Sequence, residues 1–434
     1  MQAPTPPPPG RYHLRMVRLP NGERFSLLCQ EGLPLYSPTG FALNQRDTNR
    51  AQSTIVFKLR VIGHFLVWCD DRKIDWEERF QSGRFFTNAE IAAIKSWMRL
   101  PIALDPRAAT QKAAQNNRVI RMRVTPATHT TRMLFLGQFL RWYGERATYA
   151  VSDADFQDFL VRWDAIRPKD STDPKPLGDR WGLTPEQCEL FLEVIHPNSP
   201  RNPFEPGMRV RNYAQMILLF DHGLRVAESL MLRTDDLKSQ KGDGELGARR
   251  ATFLLAERRH DPYDTRARVP SPKLQHHRSA SPRLLIMTSR VRQALIQWLD
   301  HDRRDEKRFP GALKSPYVFV SERGKPLSLR RTNSMFQILE EAFPALGPRF
   351  SPHILRHTYV ERYFAAHQKM TPDDLEGLLW TTGWVPNTAM LKRYAKRGIC
   401  ERAGKASQEL SEARQAATNN QLLAEGWDPD TMPF

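Results

Sequence analysis

Side chains that can bind and activate a phosphate occur in four separate segments of the chain. In the first, DHGLRVAESLML, Gly223 precedes Arg225, and Glu228 follows one helical turn later. A guanidinium at the start of a helix can present two N–H groups to a phosphate, and a carboxylate one turn on can orient it. A surface Arg with a helical Glu partner is the ordinary interpretation, so this segment gains meaning only from the other three.

The second segment, SPKLQHHRSASPRLLIM, connects two predicted strands and contains a single lysine, Lys273. A lysine on such a connection can reach an oxygen that leaves phosphorus and protonate it as a general acid. A solvent-facing loop lysine is the alternative, and this segment alone does not decide between them.

The third segment, SPHILRHTYVERYF, contains His353, Arg356 and His357 at spacings of three and four. This spacing predicts one helical face from which Arg356 clamps an anion and His353 donates or shuttles a proton. A metal site or a core network is the alternative. No Asp, Glu or Cys cluster lies nearby to complete a metal site, so we predict none.

The fourth segment, TTGWVPNTAMLKRYAKR, contains Trp384 directly after Gly383, and then Tyr394. Four basic residues surround the tyrosine: Lys392, Arg393, Lys396 and Arg397. Their positive field lowers the cost of forming a phenolate and attracts phosphate. An aromatic side chain packed on a core is the alternative.

The order of these motifs resembles the tyrosine recombinase (phage integrase) family. GLRxxE, a hairpin lysine, HxLRH, a Gly-Trp pair and a tyrosine follow one another as in that family, over roughly residues 178–400. The stretches LMLRTDDL and YVFVSERGKPLS resemble it as well. The resemblance implies a helical core-binding domain followed by a mixed α/β catalytic domain.

The resemblance also implies a role for each motif residue in DNA strand breakage and rejoining. Arg225 and Arg356 would hold the scissile phosphate, Lys273 would protonate the leaving 5′ oxygen, His353 would assist proton transfer, Trp384 would donate its indole N–H, and Tyr394 would be the nucleophile. Glu228 and His357 would support them. The implied product is a 3′-phosphotyrosyl link, formed without metal, cofactor or ATP. Two departures stand out: a long strand connection over 257–283, and a Trp-to-Tyr spacing one residue above the commonest form.

The elements that must position these residues are mainly helical, with a small antiparallel β-sheet. Apolar residues at helical spacing begin near residue 50, and strands are predicted at Ala251–Ala256, Leu284–Met287 and Tyr317–Val320. Five regions follow: an N-terminal extension at 1–49 with a proline-rich leader and a β-hairpin signal at Asn21-Gly22, a helical DNA-binding domain at 50–165, a linker at 166–181, the catalytic domain at 182–405, and a C-terminal helix and tail at 406–434.

Composition agrees with a nucleic-acid partner. The 434 residues include 40% hydrophobic side chains, which fits a folded chain, and the formal net charge is +17, which favours a polyanion as partner. Four basic residues of the helical domain could line a DNA face, or could simply be solvated: Lys112, Arg118, Arg121 and Arg123. The four cysteines are far apart, and no run reaches the length of a membrane span. We therefore expect a cytoplasmic, nucleoid-associated protein.

The resemblance implies double-stranded DNA as substrate and a homo-oligomer, expected to be a tetramer, with accessory DNA-bending proteins as further partners. The C-terminal helix would pack on a neighbouring copy or on its own chain. The additional N-terminal residues suggest a mobile-element enzyme. Three alternatives remain: a catalytically inactive DNA-binding protein with the same fold, a type IB topoisomerase, and an unrelated basic helical protein such as an RNA binder.

Overall fold

The structure, a computed structural model, divides into two compact units, Met1–Lys175 and Pro176–Phe434. It describes residues 12–102, 104, 123–147, 153–166, 181–241, 249–255, 261, 264–266, 269–270, 282–367, 370–384 and 396–424. These residues form mainly helices with two small antiparallel sheets, which confirms the predicted fold class. None of the described helices has the length and hydropathy needed to cross a membrane.

The first unit opens with a three-stranded antiparallel sheet. The strands are β1 (His13–Arg18), β2 (Arg24–Gln30) and β3 (Leu33–Pro34). β1 and β2 pair as a hairpin across a turn in which Gly22 has φ 84°, a left-handed conformation that glycine adopts without strain. The inner face of β2 contributes Leu28 to the core of this unit.

Six described helices complete the first unit: α1 (Tyr36–Asp47), α2 (Gln52–Asp71), α3 (Trp76–Gln81), α4 (Asn88–Trp97), α5 (Pro126–Ala147) and α6 (Asp153–Ile166). Their core is rich in aromatic rings in edge and tilted contacts, and Phe80 meets both Phe86 and Phe159. α4 begins with a capping box formed by Thr87 and Glu90.

Eight labelled helices belong to the second unit: α7 (Pro185–Ile195), α8 (Arg209–His222), α9 (Val226–Met231), α10 (Ser289–Ile296), α11 (Leu329–Ala342), α12 (Pro352–Ala366), α13 (Pro372–Thr382) and α14 (Lys396–Ala424). α7 starts with a capping box formed by Thr184 and Gln187, and Pro185 occupies its first turn. The described side chains of α14 between 404 and 420 are exposed, and the domain boundary expected after residue 405 falls inside this helix.

The sheet of the second unit has the order β4-β5-β6, with β4 at Leu237–Lys241, β5 at Arg249–Leu255 and β6 at Arg283–Ile286. Both pairings are antiparallel, and Phe253 lies opposite Leu237 on one side and Leu285 on the other. The strand predicted at Tyr317–Val320 is wrong, because this stretch forms only isolated bridges, through Tyr317 and Val320.

Candidate active site

Arg225 is positioned by the junction between α8 and α9. α8 ends at Gly223, whose φ of 57° is left-handed and whose added Cβ would lie 2.5 Å from the ring of Tyr359. Only glycine fits both constraints at this position. Arg225 then forms the N-cap of α9, and its backbone N–H donates to Glu228 Oε2 at 2.8 Å. Gly223 and the Glu228 carboxylate together fix the backbone position from which the Arg225 side chain extends.

The guanidinium groups of Arg225 and Arg356 meet at one backbone oxygen. Arg356, on α12, donates from Nη2 to Thr382 O at 2.6 Å and from Nη1 to Gly223 O at 2.6 Å. Arg225 donates from Nη1 to the same Thr382 O at 3.3 Å. Thr382 is the last residue of α13, where helix carbonyls lack intrahelical donors. Two distant segments of sequence therefore bring their arginines to a single point.

A third arginine, Arg283 on β6, joins this cluster. Its Nη2 donates to Glu228 Oε1 at 2.7 Å, the oxygen that also accepts from Arg225 Nη1 at 3.2 Å. Its Nη1 donates to the carbonyl oxygens of Trp380 and Thr381 at 2.8 and 2.6 Å. Burial lowers the pKa of Arg283 below its ordinary value, and nearby Arg225 acts in the same direction, while the Glu228 carboxylate opposes them.

Arg283 was not among the residues singled out from the sequence. In the stretch RLLI, strand alternation puts Arg283 on the same face as Leu285, which is buried. A charge on the inner face of a strand requires a buried partner. The need for such a partner is the feature of the sequence that could have identified Arg283 as a site residue.

Trp384 packs against the same cluster. The preceding Gly383 ends α13 at φ 63°, and a Cβ there would lie 2.7 Å from Arg283 Cζ. Trp384 is buried, and Arg356 Cζ lies 5.0 Å from the centre of its ring, within range of a cation–π interaction. The Gly-Trp pair seen in the sequence thus borders both Arg283 and Arg356.

The two histidines of α12 differ in exposure. His357 is buried, whereas His353, one turn earlier, is exposed. Their rings meet edge to face with centroids 4.7 Å apart. His353 is therefore the one of the pair that a bound ligand can reach.

Lys273 lies outside the described residues, but part of the chain before it is anchored. Asp264 and Arg266 form a buried ion pair at 2.8 Å, and Arg266 Nη1 also donates to Leu230 O and Leu327 O. Pro270, three residues before Lys273, is buried too. The long connection after β5 is thus fixed to the domain at these points.

A second contact anchors the same connection. The carboxylate of Asp261 is buried and accepts hydrogen bonds from Arg233 and from the hydroxyl of Tyr317. Burial, followed by the contact with Asp261, raises the pKa of the Tyr317 phenol above its ordinary value. This tyrosine therefore remains a hydrogen-bond donor at neutral pH.

Several predicted site residues lie outside the described residues: Tyr394, Lys392, Arg393, Lys112, Arg118 and Arg121. Arg123 is described, and it is exposed shortly before α5 begins. Within the part of the chain that the structure describes, no group of three or more His, Cys, Asp or Glu side chains could hold a metal ion.

Two curated proteins are similar to part of this chain. Tyrosine recombinase XerD of Mycobacterium leprae (strain TN) is 29% identical over 181 residues, which cover 41% of this chain and 46% of the relative. Tyrosine recombinase XerA of Pyrococcus furiosus (strain ATCC 43587 / DSM 3638 / JCM 8422 / Vc1) is 25% identical over 178 residues, with the same two shares. The chain thus spans about half the length of the curated relatives it matches.

Among solved structures, the Tn1549 transposon integrase (residues 82–397) in complex with circular intermediate DNA is similar at a TM-score of 0.48 and 18% identity, covering 85% of this chain and all of that one. Residues 183–370 match the model of the phage integrase family, a range that includes Arg225 and Arg356 and ends before Trp384 and Tyr394. Residues 183–370 of this chain therefore carry a phage integrase family domain.

Proposed function

We propose that this protein is a site-specific DNA recombinase that cleaves and rejoins DNA strands through a covalent 3′-phosphotyrosyl intermediate on Tyr394. The observation that carries the proposal is the convergence of Arg225 and Arg356 on Thr382 O. Donors held in fixed positions around one point are what a phosphodiester requires as negative charge develops on its oxygens.

The charge of the cluster suits a phosphate. The cluster combines the guanidinium groups of Arg225, Arg283 and Arg356 with the carboxylate of Glu228, so positive charge is in excess. The side chain of Arg225 is 27% exposed, whereas that of Arg283 is 0% exposed. Arg225 is thus open to a ligand that approaches from solvent, and Arg356 supports the same point from the interior.

In the proposed reaction, the Tyr394 oxygen attacks the phosphorus and its proton passes to a base, for which His353 is the exposed candidate. The new tyrosyl O–P bond forms as the bond from phosphorus to the 5′ oxygen breaks, and Lys273 protonates that oxygen. A 5′-hydroxyl from the partner strand then attacks the phosphotyrosine, which restores the phosphodiester and frees the phenol. One phosphate ester replaces another at each step, so rejoining requires no ATP.

The proposal extends to partners. The substrate is double-stranded DNA, held by the second unit together with the helical first unit, where Lys112, Arg118, Arg121 and Arg123 are candidate contacts. The described side chains of α14 between 404 and 420 are exposed, and helices in proteins gain most of their stability from packing on other elements, which supports docking on another copy in a homo-oligomer, expected as a tetramer. The proposed setting is a mobile genetic element in the cytoplasm, at the nucleoid, with DNA-bending proteins as accessory partners.

The test is covalent capture of DNA by the full-length protein. Duplexes that bind are first selected from a random pool, and a nick is then placed near the centre of the selected site so that the cleaved end is lost. We expect a protein–DNA adduct that survives denaturation with the wild type and disappears with Tyr394→Phe. Tyr359→Phe and Tyr363→Phe are the matched controls, and both should still form the adduct. An adduct that persists in Tyr394→Phe refutes the assignment of the nucleophile.

A further inference from the structure

We infer that Arg283 is a positioning residue that keeps the Arg225 and Arg356 guanidiniums directed at one phosphate. The inference rests on the proposed function. Arg283 is 0% exposed, so it does not reach DNA itself. Its contacts run to Glu228 and to the end of α13, which are the two groups that hold the other arginines.

The first contact limits the hold of Glu228 on Arg225. Glu228 Oε1 lies 2.7 Å from Arg283 Nη2 and 3.2 Å from Arg225 Nη1, so the shorter hydrogen bond goes to Arg283. Glu228 Oε2 accepts from the backbone N–H of Arg225 at 2.8 Å. A carboxylate with a single arginine partner tends to take it as a bidentate pair, which turns both N–H groups away from a phosphate. Because Glu228 Oε1 also accepts the hydrogen bond from Arg283, Glu228 orients Arg225 without forming a bidentate pair with its guanidinium.

The second contact fixes the last turn of α13. Arg283 Nη1 binds the carbonyl oxygens of Trp380 and Thr381, and the next carbonyl, that of Thr382, accepts from Arg225 and Arg356. Arg283 thus binds the first two of these three consecutive carbonyls, and Arg225 and Arg356 bind the third. A shift in the turn that Arg283 holds would move the point at which the other two guanidiniums meet.

Gly383 shows how closely Arg283 is fitted to this turn. Its added Cβ would lie 2.7 Å from Arg283 Cζ and 2.8 Å from Nη1. Separations this short are incompatible with a side chain at position 383 unless Arg283 moves. Position 383 therefore requires glycine as long as the Arg283 guanidinium keeps its place.

The experiment compares cleavage with binding in Arg283→Met and Arg283→Lys, using the full-length protein and the nicked site described above. Displacing a reacting group by about 1 Å can cost roughly a hundredfold in rate, so we expect a loss of that order in single-turnover cleavage for Arg283→Met. We expect a smaller loss for Arg283→Lys, which keeps the charge but not the fork. The dissociation constant for DNA should change little, because it depends on many surface phosphate contacts.

A matched control distinguishes positioning from general damage to the core. Arg211 is also a buried arginine of the second unit, bound to Val320 O at 3.2 Å and to the Asn212 side chain. It lies near the start of α8, about 18 Å along the helix axis from Gly223. Arg211→Met should reduce thermal stability but leave the cleavage rate of the folded protein near that of the wild type.

A double-mutant cycle with Glu228→Gln tests the route through Glu228. The combined loss in Arg283→Met and Glu228→Gln should be smaller than the product of the single losses, because both changes disturb one connection. If Arg283→Met does not fold, the same cycle is run with Arg283→Lys. The inference is overturned if Arg283→Met lowers the cleavage rate by the same factor in the wild type and in Glu228→Gln. Wild-type cleavage by folded Arg283→Met, or an equal loss in Arg211→Met, overturns it as well. A wild type that forms no adduct on any selected site instead refutes the proposed function, and the inference with it.

Discussion

Replacing Gly383 by alanine should displace the Arg283 guanidinium, and the structure allows the cost in stability to be calculated. The residue has φ 63°, and its added Cβ would lie 2.7 Å from Arg283 Cζ. Alanine in the left-handed region costs about 1–2 kcal/mol. Forcing extra volume into a packed site adds about 1–3 kcal/mol. The free energy of unfolding of the second unit should therefore fall by about 2–5 kcal/mol.

Gly311 provides the control. Its φ of 73° is similarly left-handed, but nothing lies within 4 Å of an added Cβ. Gly311→Ala should cost only the backbone contribution, about 1–2 kcal/mol. Both glycines lie in the second unit, so urea unfolding compares the same transition in both variants.

The two variants should also differ in activity. Displacing Arg283 should lower single-turnover cleavage by Gly383→Ala by roughly a hundredfold, whereas Gly311→Ala should cleave like the wild type. If the two variants lose equal stability and cleave at equal rates, then the close approach of the guanidinium to Gly383 has no consequence and the reasoning is wrong.

Two further predictions concern buried titratable groups of the second unit. Burial lowers the pKa of His222 to about 4, below its ordinary value of 6.5, so the folded state binds this proton less tightly than the unfolded chain does. The second unit should therefore lose stability as the pH falls from 6.5 towards 4. The measurement is the urea unfolding midpoint at pH 7 and at pH 5, which should differ less in His222→Phe than in the wild type. An equal difference in the two proteins would contradict the prediction. Asp261→Asn removes the charge that Arg233 faces and weakens the acceptor for Tyr317, so it should lower the free energy of unfolding by about 1–3 kcal/mol. The control is Asp235→Asn at an exposed position of the same unit, and equal losses in the two variants would count against the anchor.

Local signals explain which elements could be predicted from the sequence. The start of α7 is encoded within four residues, where Thr184 and Gln187 cap each other's backbone, and the end of α8 is encoded by Gly223. β4 was not predicted because its sequence, LKSQK, has one apolar residue and its pairing is decided by β5. A polar strand that depends on the neighbouring strand for its pairing leaves little trace in its own sequence.

The candidate site divides in the same way. The types and order of Arg225 and Arg356 are visible in the sequence, and they led to the prediction of a shared phosphate. The atom at which they meet is a backbone oxygen, Thr382 O, which no side-chain pattern can specify. The role of Arg283 was equally hidden, because its partners are two carbonyls and a carboxylate from other segments.

The electrostatics of α13 explain why a third arginine is useful at this point. The C-terminal end of a helix carries about half a negative charge, and Glu228 contributes a full one. With Arg225 and Arg356 alone, these would leave only about half a positive charge for an incoming phosphate. Arg283 adds one more positive charge beneath the end of the helix, where it binds Trp380 O and Thr381 O. The carbonyls can then hold the arginines in place without cancelling the positive field that the proposed DNA substrate requires.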